Sequence, residues 1–265
     1  MIDKKQLALD LNLIREKSPL VHNITNYVVM NNTANALLAI GASPVMAHAV
    51  EEVTDMVAIS SALVINMGTL SEKWVDAMLL AGKAATEKGI PVVFDPVGVG
   101  ATPYRNKVAA LIIKQCKPSI IRGNASEIMA LAKENVSTKG VDSTASSNAA
   151  LEGAKRLAQE TGAVVVISGE EDFITDGKTV YSVKNGSPLM PKVTGMGCTA
   201  TAMVGAFAAV NKDMLVAATY AMTTMGVAGE LAAQQAKGTG TMQLHFIDAL
   251  YNLTAEILVE KAKIG

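Results

Sequence analysis

The run Val193-Thr194-Gly195-Met196-Gly197-Cys198-Thr199-Ala200-Thr201-Ala202 sets two glycines around one residue. A thiol follows, and then small residues that read as a helix. Glycines let backbone amides come close to a ligand, and a helix start carries partial positive charge. Together they make an anion site. Gly195 and Gly197 would supply the amides, and Cys198 falls in the first turn, facing a docked anion. The Walker pattern is absent and G-x-G-x-x-G is not completed. The chemistry this pattern fits is phosphoryl transfer, with an unusual residue at the reacting end. Cys198 has three readings: a small core-facing residue, a nucleophile, or the occupant of a base position. A nucleophilic cysteine usually has a histidine partner. His22, His48 and His245 are the only histidines in the chain, and sequence spacing alone does not place any of them relative to Cys198.

Three other runs end apolar stretches in polar groups. Val92-Val93-Phe94-Asp95 leads into Pro96-Val97-Gly98-Val99-Gly100. Asp95 either serves a metal or caps the following loop through its own backbone. Ile121-Arg122-Gly123-Asn124-Ala125-Ser126-Glu127 brings a guanidinium, whose fork suits phosphate oxygens. Asn124 and Glu127 stand three apart at a helix start. They either face a ligand together, with Glu127 sharing Mg²⁺ with Asp95, or form a capping box. In Val164–Ser168 followed by Gly169-Glu170-Glu171-Asp172, Ser168 and Gly169 could touch phosphates, and the acidic residues read as a solvated loop.

These groups need a frame that brings strand ends together. Strands are expected at Leu20–Asn23, Pro44–Ala47, Leu63–Met67, Val92–Pro96, Ser119–Arg122 and Val164–Ser168. Several are apolar throughout, as strands covered on both faces are. Helices are expected at Thr25–Ile40, Ser71–Lys88, Arg105–Gln115, Ser126–Lys133 and Ala145–Thr161, with Ser71 as an N-cap. Phe173–Tyr181 reads as a hairpin with Asp176-Gly177 at its turn. Beyond Gly195 only helices follow, from Cys198 to Ala236 and from Gln243 to the end. The alternation predicts an α/β fold with a mostly parallel central sheet and helices on both faces, as a single domain over residues 1–265. Ligands of such sheets bind beyond the C-terminal strand ends. Asn23, Asn66, Asp95, Arg122, Asn124 and Ser168 should therefore share one crevice with the Gly195–Cys198 turn.

Composition narrows the setting. Half of the 265 residues are hydrophobic and only 4% aromatic, so Ala, Val, Ile, Leu and the 14 Met must fill the core. A net charge of -1 gives no general attraction to nucleic acid or an anionic membrane. No segment is apolar for long enough to span a bilayer. Cys116 and Cys198 make no disulfide framework and fit a cytoplasmic location.

The combination of Asp95 and its Gly-rich loop, Asn124-x-x-Glu127, Ser168-Gly169 and Gly195-Met196-Gly197-Cys198 resembles the ribokinase-like kinases. Their last turn usually ends in Asp, the base. Val21-His22-Asn23-Ile24-Thr25-Asn26-Tyr27-Val28 and Gly41-Ala42-Ser43-Pro44-Val45-Met46 narrow the resemblance to the hydroxyethylthiazole kinase family, in which a Cys at that position belongs to the pattern. The resemblance runs from about Pro19 to Ala202. It implies a ribokinase-like fold without a separate lid domain. The implied activity is ATP-dependent phosphorylation of 4-methyl-5-(2-hydroxyethyl)thiazole in thiamine biosynthesis and salvage. Asp95 and Glu127 would organise Mg²⁺, Arg122, Ser168 and Asn124 would serve ATP, and Met46, Gly195 and Asn23 the thiazole alcohol. A homotrimer with sites near subunit interfaces is also implied. Within that reading Cys198, partly ionised at the helix start, acts as a weak base or a positioning residue. A kinase for hydroxymethylpyrimidine or a sugar, and a non-catalytic ligand-binding protein, are the competing readings.

Overall fold

The structure, a computed structural model, describes residues 2–135 and 147–265. Among these, eight strands form one sheet: β1 (Leu20–Ile24), β2 (Ser43–Val45), β3 (Ala62–Asn66), β4 (Val92–Asp95), β5 (Ile120–Asn124), β6 (Val164–Ser168), β7 (Asp172–Thr175) and β8 (Val180–Val183). Their spatial order is β2-β1-β3-β4-β5-β6-β7-β8. The pairings from β2 through β6 are parallel, and β6-β7 and β7-β8 are antiparallel. All the expected strands are present, within a few residues at their ends. The hairpin is present too, and its loop shows why Asp176 is there. The Asp176 carboxylate accepts from the backbone N–H groups of Lys178 and Thr179, and Gly177 takes φ 90°.

Helices cover both faces. The chain contributes α1 (Lys4–Lys17), α2 (Met30–Ile40), α3 (Val53–Ile59), α4 (Glu72–Lys88), α5 (Pro103–Cys116), α6 (Ala125–Asn135) and α7 (Ser147–Thr161). After the sheet come α8 (Met196–Ala208), α9 (Met214–Gln235), α10 (Thr239–Asn252) and α11 (Ala255–Lys261). Alternate residues of each strand face opposite cores. Val64 and Val93 pack with α1, α2 and α8–α11, while Leu63, Ile65 and Phe94 pack with α3–α7. Continuous apolar strands result, because both faces are dry.

Several helix boundaries differ from the sequence expectation, each for a local reason. Helix α2 begins at Met30, not Thr25, because the Asn26 side chain accepts from the Val28 N–H and holds a turn. Helices α1 and α3 were not expected. Ser71 stands at the N-cap of α4 but makes no side-chain capping bond there. The helical C-terminus breaks at Asp213, which caps α9 by accepting from Leu215 and Val216. Ala145, the expected start of α7, lies outside the described residues. No strand leaves the sheet to form a lid among the described residues.

One helix sets the site. Helix α8 is buried from Thr199 through Ala208. Its small residues let it lie close on the sheet: a Cβ on Gly205 would come within 2.7 Å of Val64 Cγ2. Close packing brings the first turn of α8 over the ends of β3 and β4.

Candidate active site

Gly195 is the N-cap of α8, in the left-handed region at φ 83°. A Cβ there would also stand 2.8 Å from Val29 Cγ1, so the turn excludes side chains for two separate reasons. Gly197 makes room for Arg122: a Cβ would lie 2.8 Å from Nη1. Arg122 is only 8% exposed. Its Nη2 donates to Ser168 Oγ at 2.5 Å, and its buried Nε has no partner. A guanidinium packed against the positive end of a helix, with a donor left over, is a place for an anion.

Asp95 ends β4 beside Asn66 of β3, its register partner. It is 1% exposed. One oxygen, Oδ2, accepts from Asn66 Nδ2 at 2.8 Å and from Thr201 Oγ1 at 2.7 Å. The other, Oδ1, is buried without a partner. The alternative in which Asp95 merely caps its own loop is therefore not what forms. Burial pushes the carboxyl up to about 6, against the pull of Arg122 and the Thr201 hydroxyl.

Cys198 stands one turn before Thr201, half-buried. Asn26 Nδ2 donates to its Sγ at 3.4 Å. The same Nδ2 donates to Asn66 Oδ1 at 2.8 Å. Burial first, and then the Asp95 charge, push the thiol above its ordinary value, against weaker pulls from the two amides and Arg122. Both causes run against the partial ionisation expected at the helix start. None of the histidines is its partner. His22 Nε2 pairs with the Ala47 carbonyl at 2.8 Å, and His48 stacks on Trp74 with centroids 4.1 Å apart.

The Asn124–Glu127 pair takes the form of a reciprocal box. Asn124 Oδ1 accepts from Glu127 N at 3.0 Å, and Glu127 Oε2 from Asn124 N at 2.9 Å. Glu127 Oε1 accepts from Gly98 N at 2.9 Å, tying α6 to the Gly-rich loop after β4. Arg105 secures that loop from the other side. Its Nη1 donates to Met67 O and Val97 O, both at 2.6 Å, and its Nη2 to Gly68 O at 2.9 Å.

The remaining sequence-derived positions are less central. Met46 follows Val45, which pairs with His22, so it lies at the same strand-end level as Asn23. Asn23 is fully buried, and its Nδ2 donates to Val21 O at 2.8 Å. Asn26, not Asn23, meets the thiol. Strand β1 runs on to Ile24, so Asn23 lies inside it while Asn26 lies in the turn beyond. Asp172 departs from the solvated loop expected. It is buried, accepts from Gly169 N at 3.0 Å, and burial raises its carboxyl to about 6.

The fit to magnesium rests on the orphaned Asp95 Oδ1 and the nearby Glu127 carboxylate. Mg²⁺ takes one or two protein carboxylates and completes its shell with phosphates and water. A pair is therefore enough, although no cluster of three metal-binding side chains occurs among the described residues.

Residues 11–256 match the model of the hydroxyethylthiazole kinase family. A protein named hydroxyethylthiazole kinase from Leptospira biflexa is 57% identical over 97% of this chain and 96% of its own length. The solved hydroxyethylthiazole kinase protein from Pyrococcus horikoshii superposes with a TM-score of 0.92 at 41% identity, covering 98% of each chain. The pyridoxal kinase of Staphylococcus aureus shares the fold, with a TM-score of 0.63 at 16% identity over 80% of this chain. The mostly parallel sheet with helices on both faces is thus the ribokinase-like fold expected. The chain belongs to the hydroxyethylthiazole kinase family.

Proposed function

We propose that this protein transfers the γ-phosphoryl group of ATP to the primary alcohol of 4-methyl-5-(2-hydroxyethyl)thiazole, a step of thiamine biosynthesis and salvage. The observation that carries the reading is Arg122, buried against Gly197 at the start of α8 with an unpartnered Nε, next to buried Asp95 and Cys198. It is an anion hole with a thiol at its edge. Family membership supplies the substrate class.

In this reading Arg122, Ser168 and Asn124 receive the nucleotide phosphates, and the amides of Gly195 and Gly197 face the transferred group. Met46 and Gly195 border the alcohol, and Asn23 supports that wall from within the strand end. Asp95 and Glu127 would hold Mg²⁺, which when bound neutralises charge on the β- and γ-phosphate oxygens. The alcohol oxygen bonds to the γ-phosphorus as the bond to ADP breaks. Catalysis comes mainly from position and charge. Cys198, its thiol pushed up by burial and by Asp95, positions the hydroxyl, and the proton passes to the transferred phosphoryl oxygens. The enzyme works in the cytoplasm as a homotrimer, with neighbouring subunits closing each site. No helix among the described residues is long and apolar enough to cross a membrane. Phosphorylation of a panel of small alcohols tests the assignment. ATP consumption strictly dependent on the thiazole alcohol is expected; equal turnover of hydroxymethylpyrimidine or a sugar sinks it.

A further inference from the structure

The polarity of the asparagine pair is fixed by two backbone donors. Asn26 Oδ1 accepts from Val28 N at 3.1 Å, and Asn66 Oδ1 accepts from Gly68 N at 2.9 Å. A backbone N–H can be met only by an amide oxygen, so both amide nitrogens must face the other way. The donated hydrogens then run in one direction, from Asn26 to Cys198 Sγ and to Asn66 Oδ1, and from Asn66 to Asp95 Oδ2. Space is shaped to keep it so: a Cβ on Gly68 would sit 2.5 Å from Asn26 Nδ2. Arg105 in turn grips the carbonyls of Met67 and Gly68. Both side chains are buried, Asn26 at 4% and Asn66 at 1% exposure, so water competes little for their bonds.

Resting on the phosphoryl-transfer reading above, we propose that Asn66 and Asn26 are positioning residues that hold the Cys198 thiol and the Asp95 carboxylate at a fixed separation. Asn66 acts through its neighbours and does not touch substrate. The relay makes the sulfur a hydrogen-bond acceptor, which leaves the S–H bond free to turn toward another partner. The charged groups around that sulfur are Asp95 on β4 and Arg122 on β5.

The test uses Asn66→Ala and Asn26→Ala in the full-length protein, with circular dichroism to confirm folding. The first readout is the infrared S–H stretching band of Cys198, assigned by difference from Cys198→Ala. Both variants should shift that band. The second is steady-state kinetics with ATP and the thiazole alcohol. Both variants should lower kcat about tenfold or more while both KM values stay within about threefold. In a Cys198→Ala background the same substitutions should cost much less, a non-additivity that a purely structural role lacks. A folded variant with an unmoved band, or an equal kcat loss in both backgrounds, overturns the proposal. If Asn66→Ala does not fold, Asn26→Ala decides it by the same criteria. If the wild-type protein ignores the thiazole alcohol, the functional reading fails, and the band still decides the positioning role.

Discussion

On the β3–β4 side of the crevice, side chain binds side chain: Asn26, Asn66, Asp95 and Thr201 form one buried chain ending at Cys198. On the β5–β6 side, Asn124 and Glu127 bind mostly backbone amides and stand partly in solvent. Arg122 lies between them, over Gly197. The contrast follows from what each side must meet. The buried side keeps reacting groups in place without water, where unpaired polar atoms are costly. The open side must admit a large anion, and backbone caps hold its loops while leaving the edge accessible. Two carboxylates that look alike in sequence therefore differ in kind. Asp95 keeps an unpartnered oxygen, whereas both oxygens of Glu127 are already engaged.

That contrast can be broken by experiment. Asp95→Asn should have the largest effect, a loss of about 10²–10³ in kcat with the fold retained, measured by kinetics and thermal melting. Near-full activity would remove the buried chain from the reaction. Arg122→Lys should follow, with roughly tenfold to 10²-fold weaker use of ATP, because an ammonium cannot both bind Ser168 and fill the space under Gly197. Titration of ATP in kinetic assays reads this. An unchanged KM for ATP would move the nucleotide elsewhere. Glu127→Gln should lower stability by about 1 kcal/mol, as loss of a capping acceptor does, and weaken Mg²⁺-dependent turnover by a smaller factor than Asp95→Asn. Denaturant melts and a Mg²⁺ titration separate the two losses, and a larger activity loss than at Asp95 would reverse the contrast. The smallest effect is expected at Cys198→Asp, which should keep or raise kcat, since general-base help adds to a site that already positions its substrates. A folded, ATP-binding but inactive variant would show that the thiol itself is required.

Much of the frame was legible because it rests on local patterns. Apolar runs such as Val164–Ser168 ended where polar residues began, and the glycines at 195 and 197 marked the tight turn before α8. Two helices escaped notice. Helix α3 covers only seven residues, too few for a helical period to stand out. Helix α1 precedes the first strand and carries none of the motifs that drew attention to the later elements. In the site, Asn66, Asp95, Arg122, Asn124 and Ser168 were found from their places at strand ends. Asn26 was not, since its role depends on a turn that its own side chain creates.

The sequence by itself determined the succession of strands and the helices between most of them, the glycine turn and the set of polar strand ends, because periodicity, glycine freedom and strand termination are properties of neighbouring residues. Only the tertiary structure decided that Asp95 is buried with one oxygen free, that Glu127 is already engaged, and that burial and Asp95 push the Cys198 thiol upward. Those outcomes depend on desolvation and on partners 29 to 172 residues away in the chain, which no local pattern records.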